Sequence, residues 1–521
     1  MPKTPPKNPL PIDPLLPDFT GALSQAPGAV LLAPPGAGKT TRLPPALAGA
    51  GWLSRENPAV VLLQPRRVAA RAAASRIAEE NGWRVGEEVG YHIRFDRKIG
   101  PRTRIRVLTE GILTRQIQGD PFLEGIGCVI LDEFHERSIH TDVALALLRE
   151  IQTTVRPDLR IVVMSATMNP APVQEFLGGV PALESEGRMF PVEVEHLDRA
   201  DEAPIPEQAA RAVRRALVPG ADPGGHILVF LPGIGEIRRT EQLLSDLPRE
   251  FDRHILHSSV KAADQDAALR PSAPGRRKIV LATNIAETSL TIDGVRTVVD
   301  CGWARVMMSD ARLGIDRLEL RRISQASATQ RMGRAGRTGP GRCLRLWTRS
   351  QHLALDEHDA PEIHRADLAA TVLALRGYGV RDLSAFTWFE PPRPDALARA
   401  ERLLWMLGAA REDGTLTPEG EKLAALPLHP RLGMLLLEGA RQGRLEEAAA
   451  MAALLSERDI VSRGDQRRPN RHEGASDVLD RLELLESGGF GADPAAVAAV
   501  ERVRGDLLRV ARRVGIAERK A

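Results

Sequence analysis

The sequence predicts an α/β protein with two parallel-sheet domains in tandem, followed by a mainly α-helical region with a winged-helix piece and a helical bundle. Three observations carry that expectation. Short, continuous apolar runs alternate with Ala- and Leu-rich helical stretches from about residue 20 to residue 190, the pattern of strands covered on both faces. The same alternation restarts and runs to about residue 350, without a second Gly-Lys-Thr turn. Beyond that, amphipathic helical periodicity replaces the strand signal.

Residues 1–18 are proline-rich and read as a mobile arm with an extended lead-in. The run at 29–32 reads as a buried strand, followed by a Pro/Gly turn and a helix opening at Gly38-Lys39-Thr40. Strand, glycine turn and helix start make a phosphate cradle. Backbone N–H groups and the positive helix end face an anion, Lys39 reaches the β- and γ-phosphates, and the Thr40 hydroxyl holds Mg²⁺. Pro35, Gly36, Ala37, Gly38, Lys39, Thr40 and Thr41 are therefore the nucleotide-binding candidates of this turn. The usual pattern begins with Gly where this chain has Ala33, and an ordinary β–α turn is the alternative that the motif alone leaves open.

Further strands are expected at 60–63, 105–108, 128–131 and 161–164, with helices such as 68–80 and 142–151 between them. Each run ends in a polar cluster: Gln64-Pro65-Arg66-Arg67, Thr109-Glu110-Gly111, Asp132-Glu133-Phe134-His135 and Ser165-Ala166-Thr167. All fall at carboxyl ends of strands, the edge where open α/β sheets bind ligands. A charged, Pro-containing connection around 185–205 marks a boundary. The second block places strands at 227–231, 253–256, 278–282, 295–299 and 343–347, with Pro232-Gly233 and the cluster from Thr283 to Ser289 after two of them. Lacking its own phosphate turn, the second sheet is expected to serve the first one's nucleotide from across a cleft. Residues 363–460 read as amphipathic helices, for example 396–407 and 432–441, with 416–423 as a winged-helix piece. An Arg-rich loop is expected at 463–474, and helix over the last 45 or so residues. The resulting division is an arm over 1–18, domains over 19–190 and 191–350, a winged-helix-like segment over 351–430 and a helical bundle over 431–521.

At 521 residues the chain is too long for one typical domain, and 43% hydrophobic with 27% charged residues suits buried cores in a soluble protein. A net charge of +3 excludes a general polycation, so contact with nucleic acid must come from local, mostly Arg, clusters. Richness in Ala, Arg, Gly and Pro has a second explanation in a GC-rich genome. Three scattered cysteines, Cys128, Cys301 and Cys343, give neither metal-ligand spacing nor a disulfide framework. No run approaches the ~18 apolar residues of a membrane span, and the start lacks a signal-peptide core, so a cytoplasmic location without membrane or structural metal is expected.

Asp132-Glu133 follows a strand about one hundred residues after the glycine turn. One carboxylate there can hold Mg²⁺ while its neighbour orients and deprotonates a water; a helix start with favourable acidic residues is the plainer alternative. His135 and His140 are five apart, which defeats a zinc-hydrolase reading that needs histidines four apart on one helical face. In Gln330-Arg331-Met332-Gly333-Arg334-Ala335-Gly336-Arg337, Arg334 and Arg337 lie three apart and share a face if helical. They suit two guanidiniums reaching across a cleft to a transferring phosphoryl group, although arginine runs also bind nucleic acid directly. Arg66, Arg67, Arg71 and Arg76 suit a phosphate backbone, and 4% aromatic content argues against a base-stacking platform.

In this order the clusters resemble superfamily 2 helicases of the DEAH-box group, in particular the bacterial HrpB type. The resemblance runs through 33–40, 64–70, 109–111, Asp132-Glu133-Phe134-His135-Glu136-Arg137, 165–167, 230–233, 282–292 and 330–341, and more loosely through 416–420 and 426–431. It implies two RecA-like domains with ATP and Mg²⁺ between them and a single strand of RNA across their tops. By it, Lys39 and Thr40 bind phosphate and Mg²⁺, Asp132 holds the metal and Glu133 activates water. Gln330 and Ser289 position that water, Asp293 lies at the nucleotide, and Arg334 and Arg337 are the fingers. His135, Ser165 and Thr167 couple nucleotide state to movement, while Arg66, Arg67, Thr109, Gly233 and Thr283 touch the strand. Such proteins step 3′→5′ on RNA and accept several nucleoside triphosphates. Phe134 departs from the Ala of the group's name, and Ala33 from its first glycine; neither removes a metal or base position. Members usually continue well past this length, which implies a short member or a shortened chain. No oligomer is implied.

Three functional readings are thus in play. The leading one is an ATP-dependent RNA helicase or translocase. The others are a nucleic-acid-stimulated ATPase that acts on DNA or remodels nucleoprotein without unwinding, and a nucleotide-dependent scaffold, which would need neither Glu133 nor the arginine pair.

Overall fold

The computed structural model describes residues 9–186, 190–218, 220, 222–287, 292–310, 315–457, 459–461, 476–488 and 491–517. They form two compact units. One holds the described residues up to Gln116, Phe122–Ala366 and Trp388–Glu390; the other holds Ile117–Pro121, Asp367–Thr387 and the described residues from Pro391 onward.

The first unit contains two sheets. Strands β1 (Gly28–Leu32), β2 (Ala59–Gln64), β3 (Val89–Ile93), β4 (Asp96–Lys98), β5 (Ile105–Thr109), β6 (Ile126–Leu131), β7 (Arg160–Ser165) and β8 (Ala182–Glu184) form an eight-stranded sheet in the order β4-β3-β5-β2-β6-β7-β1-β8. All pairs are parallel except β3–β4. β2 and β6 are buried at every position, as strands covered on both faces must be. Strands β9 (Val192–Leu197), β10 (His226–Phe230), β11 (Phe251–Leu256), β12 (Arg277–Ala282), β13 (Val295–Asp300) and β16 (Gly341–Thr348) form a parallel sheet in the order β11-β12-β10-β13-β16-β9. Between β13 and β16, β14 (Trp303–Asp310) and β15 (Ile315–Arg322) make a separate antiparallel hairpin.

The helix Arg67–Asn81 is rich in alanine for a packing reason. Ala70, Ala73 and Ala74 join the core of the first sheet, while Ala69 joins Leu228, Phe230 and Val280 of the second sheet's core. Side chains this small let one helix lie against the cores of both sheets.

The expected arm over 1–18 gives way to packed structure from residue 12. Ile12, Phe19 and Leu23 are buried, a 3₁₀ turn spans Asp13–Leu15, and a helix spans Leu16–Gln25. Proline at the start of a helix costs no hydrogen bond, which is why Pro14 and Pro17 fit there. The charged connection expected around 185–205 contains β9, the edge strand of the second sheet.

The second unit is helical: Ala369–Tyr378, Pro394–Met406, Pro418–Ala425, Pro430–Arg441, Leu445–Ser456, Asp477–Glu486 and Pro494–Arg513. The stretch expected as a winged-helix piece pairs Leu416 with Ala410 in an antiparallel bridge, and Thr417 caps the next helix by accepting the Gly420 N–H at 3.0 Å. The expected Arg-rich loop over 463–474 lies outside the described residues.

Candidate active site

The phosphate turn forms as its sequence demands. Gly36 (φ +88°) and Gly38 (φ +95°) are both left-handed, a conformation that costs other residues on the order of 1 kcal/mol. No side chain caps the helix Lys39–Ala48 that follows. The N–H groups of its first two residues, Lys39 and Thr40, are therefore left to an anion, which is the fit a triphosphate requires. Pro35 and Ala37 complete the turn, with the Ala37 N–H donating to Pro34 O at 3.1 Å, and the Thr41 N–H donates to Gly38 O at 3.2 Å.

The end of β6 meets this turn. Lys39 Nζ donates to Glu133 Oε2 at 3.0 Å and lies 3.8 Å from Asp132 Oδ1. Thr40 Oγ1 donates to Asp132 Oδ2 at 2.6 Å. Gln64, at the end of β2, donates to the same oxygen at 2.6 Å. Burial and the adjacent Glu133 push the Asp132 carboxyl up. Burial acts on Glu133 too, but Lys39 and His135 outweigh it and hold that carboxyl down. A hydroxyl and a carboxylate side by side fit Mg²⁺, which takes one or two protein oxygens and keeps water and phosphate oxygens for the rest. Among the described residues no group of three or more His, Cys, Asp or Glu side chains could form an all-protein metal cage.

Glu133 itself is left-handed (φ +52°), as is Arg137 (φ +49°), and the 3₁₀ turn Phe134–Glu136 lies between them. The Glu133 N–H donates to Asp132 Oδ1 at 2.8 Å, locking the turn at its start. His135 Nδ1 accepts the Ala166 N–H at 3.3 Å and lies 3.3 Å from Ser165 Oγ, which leaves Nε2 to carry the proton on the side facing Glu133 Oε2, 3.5 Å away. Burial, with Lys39 and Arg334 adding to it, lowers its pKa against the opposing pull of Glu133 and Glu136.

The second sheet supplies the rest. Gln330 Nε2 donates to Thr167 Oγ1 at 2.9 Å, a direct bond between the two layers. The α-helix Gln325–Gly333 stops before the arginine pair; Arg334 opens a 3₁₀ turn, Arg334–Gly336, and Arg337 follows it. Three residues per turn still bring Arg334 and Arg337 into line, although not on the α-helix that the spacing suggested. Arg334 Nε donates to the carbonyl of Glu287 at 3.0 Å. Burial and Arg337 drive the Arg334 pKa down, while Glu133 and Glu287 oppose the shift. Arg337 lies against Gly36, its Cδ 3.8 Å from where a side chain there would begin. Burial lowers its pKa to about 10 against the pull of Glu133 and Asp293. Positive charge packed this closely calls for an anion between the layers. Asp293 is exposed and acts on Arg76 as well as Arg337. Ser289 lies outside the described residues.

The expected strand contacts are scattered. Arg66 and Thr109 are half-buried, Arg67 is exposed, and Arg66 pairs with Glu136 at 3.3 Å. Thr283 is half-buried, and Gly233 is buried beneath the ion pair of Arg305 with Glu236.

Two groups escaped the sequence reading as individuals. Gln64 fixes the Asp132 carboxylate. Glu287 holds Arg331 through its carboxylate at 2.8 Å and Arg334 through its carbonyl, while Arg331 also bonds Asp300 at 2.9 Å. Both sit inside polar clusters already noted after β2 and β12, so position at a strand end was the signal that could have found them.

Residues 20–176 match the DEAD/DEAH box helicase family and residues 208–339 the helicase conserved C-terminal domain. Over 496 residues the chain is 41% identical to the ATP-dependent RNA helicase HrpB of Escherichia coli (strain K12), covering 94% of this chain and 60% of that protein. The chain belongs to the DEAH-box helicases, in the HrpB-type group. Residues 400–428 match the winged-helix domain (HA2) associated with these helicases. The chain is also 38% identical over 488 residues to the pre-mRNA-splicing factor ATP-dependent RNA helicase prp22 of Schizosaccharomyces pombe, covering 91% of this chain and 41% of that one. Among solved structures, the crystal structure of Escherichia coli DEAH/RHA helicase HrpB superposes with a TM-score of 0.83 at 40% identity, over 96% of this chain and 60% of that one. That of the E. coli DExH-box NTPase HrpB gives 0.80 at 39%, over 98% and 59%. The chain thus spans about three-fifths of the HrpB proteins it matches. No helix among its described residues is long and apolar enough to cross a membrane.

Proposed function

We propose that this chain is an ATP hydrolase that works as an RNA helicase or translocase, splitting ATP between its two sheets. The supporting observation is the convergence of Lys39, Thr40, Asp132 and Glu133 from one sheet with Gln330, Arg334 and Arg337 from the other. In this reading the phosphate turn and Lys39 bind the β- and γ-phosphates, and Thr40 with Asp132 holds Mg²⁺. The metal ion, when bound, neutralises charge on the phosphate oxygens. Glu133 orients the attacking water and takes its proton, Gln330 helps to place that water, and Arg334 and Arg337 offset charge spreading over the transferring group. The Gln330–Thr167 bond then ties the closed cleft to the bound triphosphate, so that splitting it releases one layer from the other. His135 relays the state of Glu133 to Ser165 and Ala166 by the contacts already described.

Arg66, Arg67, Thr109, Gly233 and Thr283, all at carboxyl ends of strands, would line the path of a single strand. RNA as that strand, and 3′→5′ polarity, rest on the family and on relatives named RNA helicases. The test is phosphate release without nucleic acid, with single-stranded RNA and with single-stranded DNA, followed by strand displacement on tailed duplexes. Stimulation by RNA with displacement supports the proposal. Stimulation by DNA alone, or turnover without displacement, moves the protein to the remodelling alternative, and absence of turnover leaves only the scaffold.

A further inference from the structure

The catalytic turn is held by residues about 250 positions later in the chain. Arg137, its last residue, donates from Nε and Nη2 to both Asp142 carboxylate oxygens (3.2 and 2.9 Å) and from Nη2 to Glu390 Oε2 at 3.1 Å. Its guanidinium lies 4.9 Å from the centre of the Phe389 ring and 5.9 Å from that of Phe134. Phe389 meets the buried Phe134 edge-on at 5.3 Å and Phe176 at 5.3 Å. Phe134, the residue that departs from the group's name, therefore fills an aromatic socket whose centre is Phe389. His364 Nε2 lies 3.2 Å from Glu390 Oε1, and the Arg137 carbonyl accepts the Glu362 N–H at 3.1 Å. Residues 388–390 leave the helical part of the sequence to join the unit that carries both sheets.

We propose that Phe389 and Glu390 are positioning residues for the Glu133 carboxylate, acting through Phe134 and Arg137. A turn with a left-handed, non-glycine residue at each end persists only where its surroundings over-determine it. Asp132 secures the first end. At the second, Asp142 lies only five residues on and moves with the local chain; the distant side-chain anchor on Arg137 and Phe134 is Phe389 with Glu390, beside the Glu362 N–H on the Arg137 carbonyl. Loosening that anchor moves Glu133 relative to the site of attack and leaves Lys39, Thr40 and Asp132 in place.

This inference rests on the ATPase reading above. ATP turnover is to be measured on the full chain for wild type, Glu133→Gln, Phe389→Ala, Phe389→Tyr and Glu390→Gln. Binding of a fluorescent ATP analogue is to be measured on the same samples. Phe389→Ala and Glu390→Gln should lower kcat about 10-fold or more while KM and analogue affinity stay within about twofold, as displacement of a catalytic group without loss of binding requires. Phe389→Tyr, which keeps the ring, should restore kcat. Should Phe389→Ala fail to fold, Glu390→Gln, which keeps the side-chain shape, decides. If both variants keep wild-type kcat, or lose analogue binding in step with kcat, the anchor does not set the carboxylate. If wild-type turnover does not depend on Glu133, the ATPase reading and this one fall together; if it does and the anchor variants are silent, only this one falls.

Discussion

Asp132 and Glu133 are neighbours in sequence with opposite surroundings. Asp132 is gripped by Thr40, Gln64 and the Glu133 N–H, whereas Glu133 meets Lys39 and the edge of His135. The first arrangement suits an oxygen fixed on a metal; the second suits a carboxylate that must stay charged and reach a water. Glu133→Gln is therefore expected to keep nucleotide binding and lose more than ~100-fold in turnover, read by phosphate release beside analogue binding. Near-normal hydrolysis would remove Glu133 from its role. Arg337→Ala should depress kcat similarly because its side chain lies against Gly36. A change in RNA affinity alone would reassign it to the strand. Lys39, Asp132 and the arginines were legible because each belongs to a short run with its own chemical logic. Gln64 and Glu287 were not singled out because their work lies in contacts 68 and 44 residues away, and local spacing carries no record of those.

At the scale of elements, buried strands were the most legible feature, since continuous apolar runs such as those of β2 and β6 admit few other readings. Edge strands were not. β8 has only three residues, and β9, Val192–Leu197, alternates Val with Glu because Val192 and Val194 pack on the core while Glu193 faces outward, so β8 was missed and β9 was absorbed into a connection. The β14–β15 hairpin went unseen for a related reason: its residues are largely charged or exposed. The helix Glu110–Gly119 opens on a further group that motif reading left without a role. The Glu110 carboxyl is buried, accepts from Ser138 Oγ at 2.7 Å and from Thr141 Oγ1, and so ties the end of β5 to the helix Ile139–Thr154 that follows the turn Phe134–Glu136. Burial raises its pKa to about 7, with Glu136 and Glu362 adding to the rise and the two hydroxyls opposing it. The folded form therefore binds more protons than the unfolded chain between about 4.3, the ordinary glutamate value, and about 7. Its contribution to stability is greatest below that window and falls as pH rises through it. Glu110→Gln should flatten the fall in melting temperature between pH 5 and pH 8, measured by thermal unfolding at constant ionic strength. Equal slopes in wild type and variant would mean that this carboxyl does not titrate in the window.

For the whole molecule, the balance of charge limits how it can hold a strand. A net charge of +3 spread over 521 residues gives little long-range field, and an aromatic content of 4% leaves little to stack bases on. In the proposed reading, grip comes from a few guanidiniums and backbone N–H groups meeting phosphates at the sheet edges, near Arg66 and Arg67. Binding of that kind releases counterions and ignores base identity. The apparent affinity for single-stranded RNA, read from the concentration that half-stimulates phosphate release, should therefore fall with salt at a log–log slope on the order of −2 to −4. Homopolymers of different bases should agree within about threefold, because phosphate contacts carry no sequence information. A flat salt response would mean that apolar stacking holds the strand. A preference of more than about tenfold for one base would mean that base edges are read. Either result would move the strand off the edge that carries Arg66, Thr109 and Thr283. It would also break the link between strand and cleft, because those residues follow β2, β5 and β12, and Gln64 at the end of β2 is the group that fixes Asp132.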